Sequence, residues 1–125
     1  MKSLDTSVAI DHLRGTLPAV ELLTTLIDDG ETIAASEVVR FELLAGVRDR
    51  EVEALELFFS ALTWVPVDES ITRVAGNLAR RHRRAHSGID DADYLIAATA
   101  VLLDAPLLTT NMRHFPMLKD LRPAY

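Results

Sequence analysis

Three carboxylates in this chain stand where they could share one cation. Asp5 follows the short stretch Lys2-Ser3-Leu4, Glu42 sits in Phe41-Glu42-Leu43-Leu44, and Asp93 follows Asp90-Asp91-Ala92. A glutamate flanked by Phe41, Leu43 and Leu44 needs a partner, since burying a bare carboxylate is costly. A divalent cation would serve all three acids. The chain has no cysteine and the set requires no histidine, so oxygen-only ligands point to Mg2+ or Mn2+ rather than zinc. Such a centre can polarise a carbonyl or phosphoryl oxygen and ease the ionisation of a water.

Each acid also has an ordinary explanation. Asp5 suits the cap of a helix or turn. Asp93 in a first helical turn would favour the helix dipole, with Asp90 or Asp91 the better cap. Glu42 could lie exposed beside Arg40 on the polar side of its helix. Spacing alone leaves both explanations open for all three.

The elements that must carry these residues read as strands separated by helices. Lys2-Ser3-Leu4 is a short strand, followed by Thr6-Ser7 as helix caps and by Val8-Ala9-Ile10. Gly15 and Pro18 break the pattern before a helix over Val20 to Ile27, which Gly30 ends. Thr32 to Ala35 reads as a strand, and Ser36 caps a helix from Glu37 to about Val47. Glu51 to Leu62 is helical by its apolar spacing, and Trp64 to Val67 is a further strand. Asp68 and Ser70 cap a long helix through Leu78 into a basic tail that Ser87-Gly88 stops. A helix from Asp93 to Leu103, rich in small residues, precedes a last strand over Leu107 to Thr110. The tail from Phe115 is irregular. This alternation implies an α/β fold with a parallel sheet, whose functional groups gather beyond the carboxyl ends of the strands.

Bulk properties set the frame. At 125 residues, the chain reads as a single domain spanning residues 1–125. Hydrophobic residues make up 49% and charged residues 26%, an ordinary globular composition. The absence of cysteine excludes disulfides and thiolate metal sites. No apolar run suits a membrane span, and the N-terminal residues lack an apolar signal core, so the expected location is cytoplasmic. A net charge of −6 argues against a generic nucleic-acid binder but permits an enzyme whose cation attracts phosphate.

Four segments in order carry a family resemblance. They are Leu4-Asp5-Thr6-Ser7-Val8-Ala9-Ile10, Glu42-Leu43-Leu44-Ala45-Gly46, Asp93-Tyr94-Leu95-Ile96-Ala97-Ala98-Thr99-Ala100, and Leu108-Thr109-Thr110-Asn111-Met112-Arg113-His114-Phe115. Together they resemble the motifs of PIN-domain ribonucleases, in particular the VapC toxins of bacterial toxin–antitoxin pairs. The resemblance implies a PIN-like fold: a parallel central sheet of four or five short strands flanked by helices. It implies a Mg2+- or Mn2+-dependent endoribonuclease with Asp5, Glu42 and Asp93 as catalytic, metal-binding acids. Thr6 or Ser7 would sit near the metal or a phosphate, with Asp91 and Asn111 as further supporting positions. A VapB-like antitoxin, a homodimer and an RNA substrate are the implied partners. The family often has a fourth acid near the last strand; Asn111 and His114 stand in that stretch here, which puts a second tightly bound metal in doubt. A PIN-like nuclease of RNA processing and an inactive partner-binding domain are the competing readings.

One constellation stays outside this scheme. Arg80-Arg81-His82-Arg83-Arg84 is the only dense basic run. It reads as a solvated helix end, as an RNA-backbone stripe, or as a contact for an acidic partner. His82 and His86 are four apart, but the residues between them lack the glutamate of a helical zinc protease site.

Overall fold

Four short parallel strands form the centre of the computed structural model, which describes residues 1–125. In chain order the elements are β1 (Lys2–Leu4), α1 (Thr6–Leu13), α2 (Leu17–Asp28), β2 (Ile33–Ser36), α3 (Glu37–Gly46), α4 (Val52–Phe59), β3 (Thr63–Val65), α5 (Glu69–His82), α6 (Asp91–Leu103) and β4 (Leu107–Leu108). Short 3-10 turns occupy Asp49–Glu51 and Met112–His114. The expected α/β architecture with a parallel sheet is therefore observed, at four strands.

Sheet order is β3-β2-β1-β4. The chain runs outward from β1 through β2 to β3, then returns to place β4 on the other flank of β1. The direction of winding thus reverses between β1 and β4. At such a reversal the connections after the two strands diverge to opposite faces and leave a crevice at the strands' carboxyl ends. Asp5 is the first residue past β1, and Thr109 the first past β4.

Burial explains why these short strands hold. All four residues of β2 are buried, as a sheet covered on both faces requires. One cluster of 21 buried residues joins Leu4, Ala35 and Leu107 of the sheet to Leu23, Val39, Leu55, Phe59 and the α6 residues Ile96, Ala97 and Ala98. The alanines let α6 lie close against β1 and β2, and α5 packs against α6. No helix is long and apolar enough to cross a membrane.

Several boundaries differ from expectation. Pro18 does not break the second helix; it lies in the first turn of α2, where its missing N–H costs nothing. The expected strands at Trp64–Val67 and Leu107–Thr110 shorten to Thr63–Val65 and Leu107–Leu108, since an edge strand pairs on one side only. The helix expected over Glu51–Leu62 ends at Phe59, and the long basic helix ends at His82, before the Gly88 turn at φ +83°. Ser36 caps α3 as expected, accepting from the Val38 amide at 3.1 Å, and Asp68 caps α5 through the Ile71 amide at 3.0 Å.

Candidate active site

Parallel pairing of β1 with β4 sets the site. Ser3 faces Leu107 and Leu4 faces Leu108. The Asp5 amide continues the ladder by donating to the Leu108 carbonyl at 3.0 Å. That register brings the Asp5 and Thr109 side chains together. The Thr109 hydroxyl donates to Asp5 Oδ2 at 2.7 Å, and the Ser7 hydroxyl donates to the same oxygen at 2.7 Å. Asp5 is 4% exposed and Thr109 fully buried. Asp5 occupies the N-cap position of α1, yet its side chain makes no capping hydrogen bond. Asp5 therefore stands at the cap position without capping: its Oδ2 is taken by the Thr109 and Ser7 hydroxyls instead.

Glu42 comes to the same end of the sheet from the second turn of α3. Thr6 Oγ1, in the first turn of α1, donates to Glu42 Oε1 at 2.7 Å. The expected apolar surroundings of Glu42 are not found. Its neighbours Phe41 and Leu44 are 70% and 43% exposed, and only Leu43 is buried. Consecutive helical residues point to different faces, so sequence neighbours are not spatial ones. Nor does Glu42 pair with Arg40, which binds Glu37 at 2.6 Å and stacks over Trp64 at 4.0 Å.

Asp93 is the third residue of α6, and Asp90 is its N-cap. Asp93 Oδ2 accepts from the Asp90 amide at 3.1 Å and lies 3.3 Å from His114 Nδ1. Asp93 thus does close the helix terminus, but with one oxygen only. Burial pushes its carboxyl above the ordinary range, and the charges of Asp5 and Asp90 push the same way; the Asp90 amide and His114 pull it back. Asp93 therefore feels the charge of Asp5.

A common pattern unites the trio. Asp5 gives Oδ2, Glu42 gives Oε1 and Asp93 gives Oδ2 to protein donors, while Asp5 Oδ1, Glu42 Oε2 and Asp93 Oδ1 accept from no protein group. One oxygen of each acid is fixed, and the other is uncommitted. Nowhere do three Asp, Glu, His or Cys side chains close around one point as a ready-made cation cage. The donor chemistry nevertheless fits a hard divalent ion: three carboxylates, steadied by the hydroxyls of Thr6, Ser7 and Thr109, with mutual repulsion that a cation would relieve.

The supporting positions separate. Ser7 is in the site, and its hydroxyl also accepts from the Thr110 amide at 3.1 Å. Thr6 holds Glu42. Asp91 points elsewhere: its side chain is 86% exposed and pairs with Arg83 at 2.6 Å. The Asn111 amide donates to Thr109 Oγ1 at 2.9 Å, so its backbone steadies the hydroxyl that holds Asp5, while its side chain makes no hydrogen bond. Sequence reasoning passes over Thr109, whose signal is its place directly after the last strand. A cavity of about 610 Å³ lies away from this chemistry, between the C-terminal end of α6 and the tail, and holds none of the three acids.

Fold and site define an α/β domain with an acidic crevice at the reversal point of a parallel sheet. The PIN-domain family model matches residues 2–119. Ribonuclease VapC19 of Mycobacterium tuberculosis is 64% identical over 125 residues, covering the whole of both chains. Ribonuclease VapC10 of the same species is 40% identical over 98% of this chain and 91% of that one. Among solved structures, VapBC2 from Rickettsia felis, bound to a DNA fragment from their promoter, superposes with a TM-score of 0.81 at 25% identity, covering 96% of this chain and 94% of that chain. The chain belongs to the PIN-domain family, in its VapC branch.

Proposed function

We propose that this protein is the toxin of a type II toxin–antitoxin pair, a Mg2+- or Mn2+-dependent endoribonuclease that hydrolyses RNA phosphodiester bonds. The observation that carries the reading is the half-committed state of Asp5, Glu42 and Asp93 at the mouth of the β1–β4 crevice. These three acids would hold the ion. The chemistry such an ion supplies is polarisation of a phosphodiester oxygen and easier ionisation of a water.

The chain's own residues do the positioning. Ser7 and Thr109 hold Asp5 by the oxygen they share, so the carboxylate does not rotate toward the helix amides. Thr6 ties Glu42 of α3 to the start of α1 and so fixes the spacing of two acids from separate elements. The Asp90 amide and His114 orient Asp93. In the net reaction a water oxygen bonds to phosphorus, the bond to the 3′ oxygen breaks, and that oxygen leaves with a proton. The similarity to VapC ribonucleases and to a VapBC complex supports a VapB-like antitoxin as partner. We read the working unit as a cytoplasmic homodimer.

The test is incubation of purified protein with total RNA in Mg2+ or in EDTA, followed by mapping of the cut ends. Cuts that appear only with the metal, and vanish in Asp5→Asn with the fold intact, are expected. Full activity of Asp5→Asn would overturn the site, and no metal-dependent cut in any RNA would overturn the activity.

A further inference from the structure

The basic run after α5 takes no part in the acid site. Four of the chain's thirteen lysines and arginines fall within residues 80–84, in a protein of net charge −6. Compensating a helix dipole takes a cation or two in the last turn, so this density exceeds that need. The side chains also converge. Gly76, Ala79, Arg80, Arg83 and Arg84 line one cleft of about 470 Å³. Their spacing is the i, i+3, i+4 row of a single helix face, which continues into the turn beyond His82.

The three arginines of the cleft differ in their commitments. Arg83 is anchored: its Nη2 binds Asp91 at 2.6 Å, and its guanidinium lies 5.5 Å from the Tyr94 ring centre. Arg80 donates to Asn77 Oδ1 at 2.8 Å, which orients it without neutralising it. Neither Arg80 nor Arg84 is in an ion pair, and both are exposed. Gly76 leaves the floor open, since a Cβ there would meet nothing within 4 Å.

The location gives the cleft its meaning. Arg83 reaches Asp91, two residues before Asp93 but on another face of the helix, so the cleft lies at the same end of α6 as Asp93, outside the acid crevice itself. A polyanion entering that crevice meets the charges of Asp5, Glu42 and Asp93, and nearby cations must offset the repulsion. We infer that the Arg80–Arg84 cleft holds the RNA backbone beside the cleavage site, with Arg80 and Arg84 contacting phosphates; this rests on the nuclease reading above. An acidic protein is the poorer occupant, because Ala79 is the only apolar side chain in the lining and protein interfaces need apolar anchors at their centre.

The experiment uses the full chain carrying Asp5→Asn, so that binding is read without cutting. Its affinity for a fluorescent single-stranded RNA is measured by anisotropy across a salt series, with and without Arg80→Ala/Arg84→Ala. Loss of two phosphate contacts should lower the slope of log affinity against log salt by about 1.4. In the otherwise wild-type chain, the same pair should raise KM about tenfold or more and leave kcat nearly unchanged. Arg80→Lys/Arg84→Lys, which keeps charge and helix, should restore most of the binding. Arg48→Ala/Arg50→Ala removes equal charge elsewhere and should change the slope little. An unchanged affinity and slope in the alanine pair overturns the inference. So does unchanged RNA binding combined with lost binding to polyglutamate, which assigns the cleft to an acidic protein. Anisotropy decides the cleft whether or not the wild type cuts RNA; absence of cutting strikes the nuclease reading alone.

Discussion

Thr109 donates its hydroxyl to Asp5 at 2.7 Å across a sequence separation of 104 residues. The contact exists because β1 and β4 pair in parallel with Leu4 opposite Leu108, so the next residue of each strand faces the other at the crevice. Asp5 Oδ2 takes this bond and one from Ser7. The buried carboxylate is thereby oriented by its neighbours before anything binds to it.

Thr109→Val keeps the shape of the side chain and removes the donor. A group that orients a metal-binding carboxylate typically governs activity or metal affinity by about 10–100-fold. The valine variant should lose activity in that range and need more Mg2+ for half-maximal cleavage, while Thr109→Ser should recover much of both. Titrating Mg2+ against cleavage rate for the three proteins checks this. Equal Mg2+ requirements would mean that Thr109 only fills space.

Metal binding should also appear as stability. A ligand that binds only the folded state stabilises by RT ln(1 + [L]/Kd), about 2.7 kcal/mol at a hundredfold excess over Kd. Mn2+ or Mg2+ should raise the melting temperature of the wild type relative to EDTA. Asp5→Asn, Glu42→Gln and Asp93→Asn should each show a smaller rise. In EDTA, Asp5→Asn should melt no lower than wild type, because the amide oxygen can still accept from Ser7 and Thr109 while repulsion of Asp93 is removed. Calorimetry with and without metal reads all of these.

Much of this site is legible in the amino-acid sequence. Alternating apolar runs and breakers identify the strand–helix order, and Asp5 lies directly past the first strand, as that order predicts. The resemblance, rather than spacing, joined Asp5 to Glu42 and Asp93. Illegible were contacts that depend on register: Thr109 meets Asp5 only through the β1–β4 pairing, and Thr6 meets Glu42 only because α1 packs on α3. The argument for Glu42 from apolar neighbours misled, because Phe41 and Leu44 project to solvent. The sequence favours Asp90 or Asp91 over Asp93 as the cap without choosing between them; in the structure Asp90 is the N-cap, Asp91 pairs with Arg83, and Asp93 accepts from the Asp90 amide.

His12 gives the protein an acid-sensitive element away from the crevice. It stacks on Phe58 with ring centres 5.0 Å apart, and its Nδ1 is buried without a partner. Burial holds its pKa below the ordinary 6.5. The unfolded chain therefore binds a proton more readily than the native one. The stability contribution is complete above pH 6.5 and is lost as pH falls through the depressed folded value. His12→Gln should flatten the dependence of unfolding free energy on pH between about 7 and 5.5. Urea titrations at several pH values measure the two slopes; equal slopes would remove His12 from the account.

Gly76 offers the reverse case, a position where a substitution should strengthen the fold. It lies inside α5 with no left-handed backbone angle, and a Cβ there would meet nothing within 4 Å. Glycine in a helix interior costs roughly 0.5–1 kcal/mol relative to alanine, through the entropy of the unfolded chain. Gly76→Ala should therefore stabilise by about that amount and raise the melting temperature by a few degrees. The new methyl group would stand on the floor of the arginine cleft. A methyl is small beside a cleft of about 470 Å³, so RNA affinity should hold while stability rises. Thermal unfolding and RNA anisotropy on one preparation separate the two effects. A stabilised variant with sharply weaker RNA binding would mean that the backbone approaches Gly76 itself, closer than contacts to Arg80 and Arg84 require.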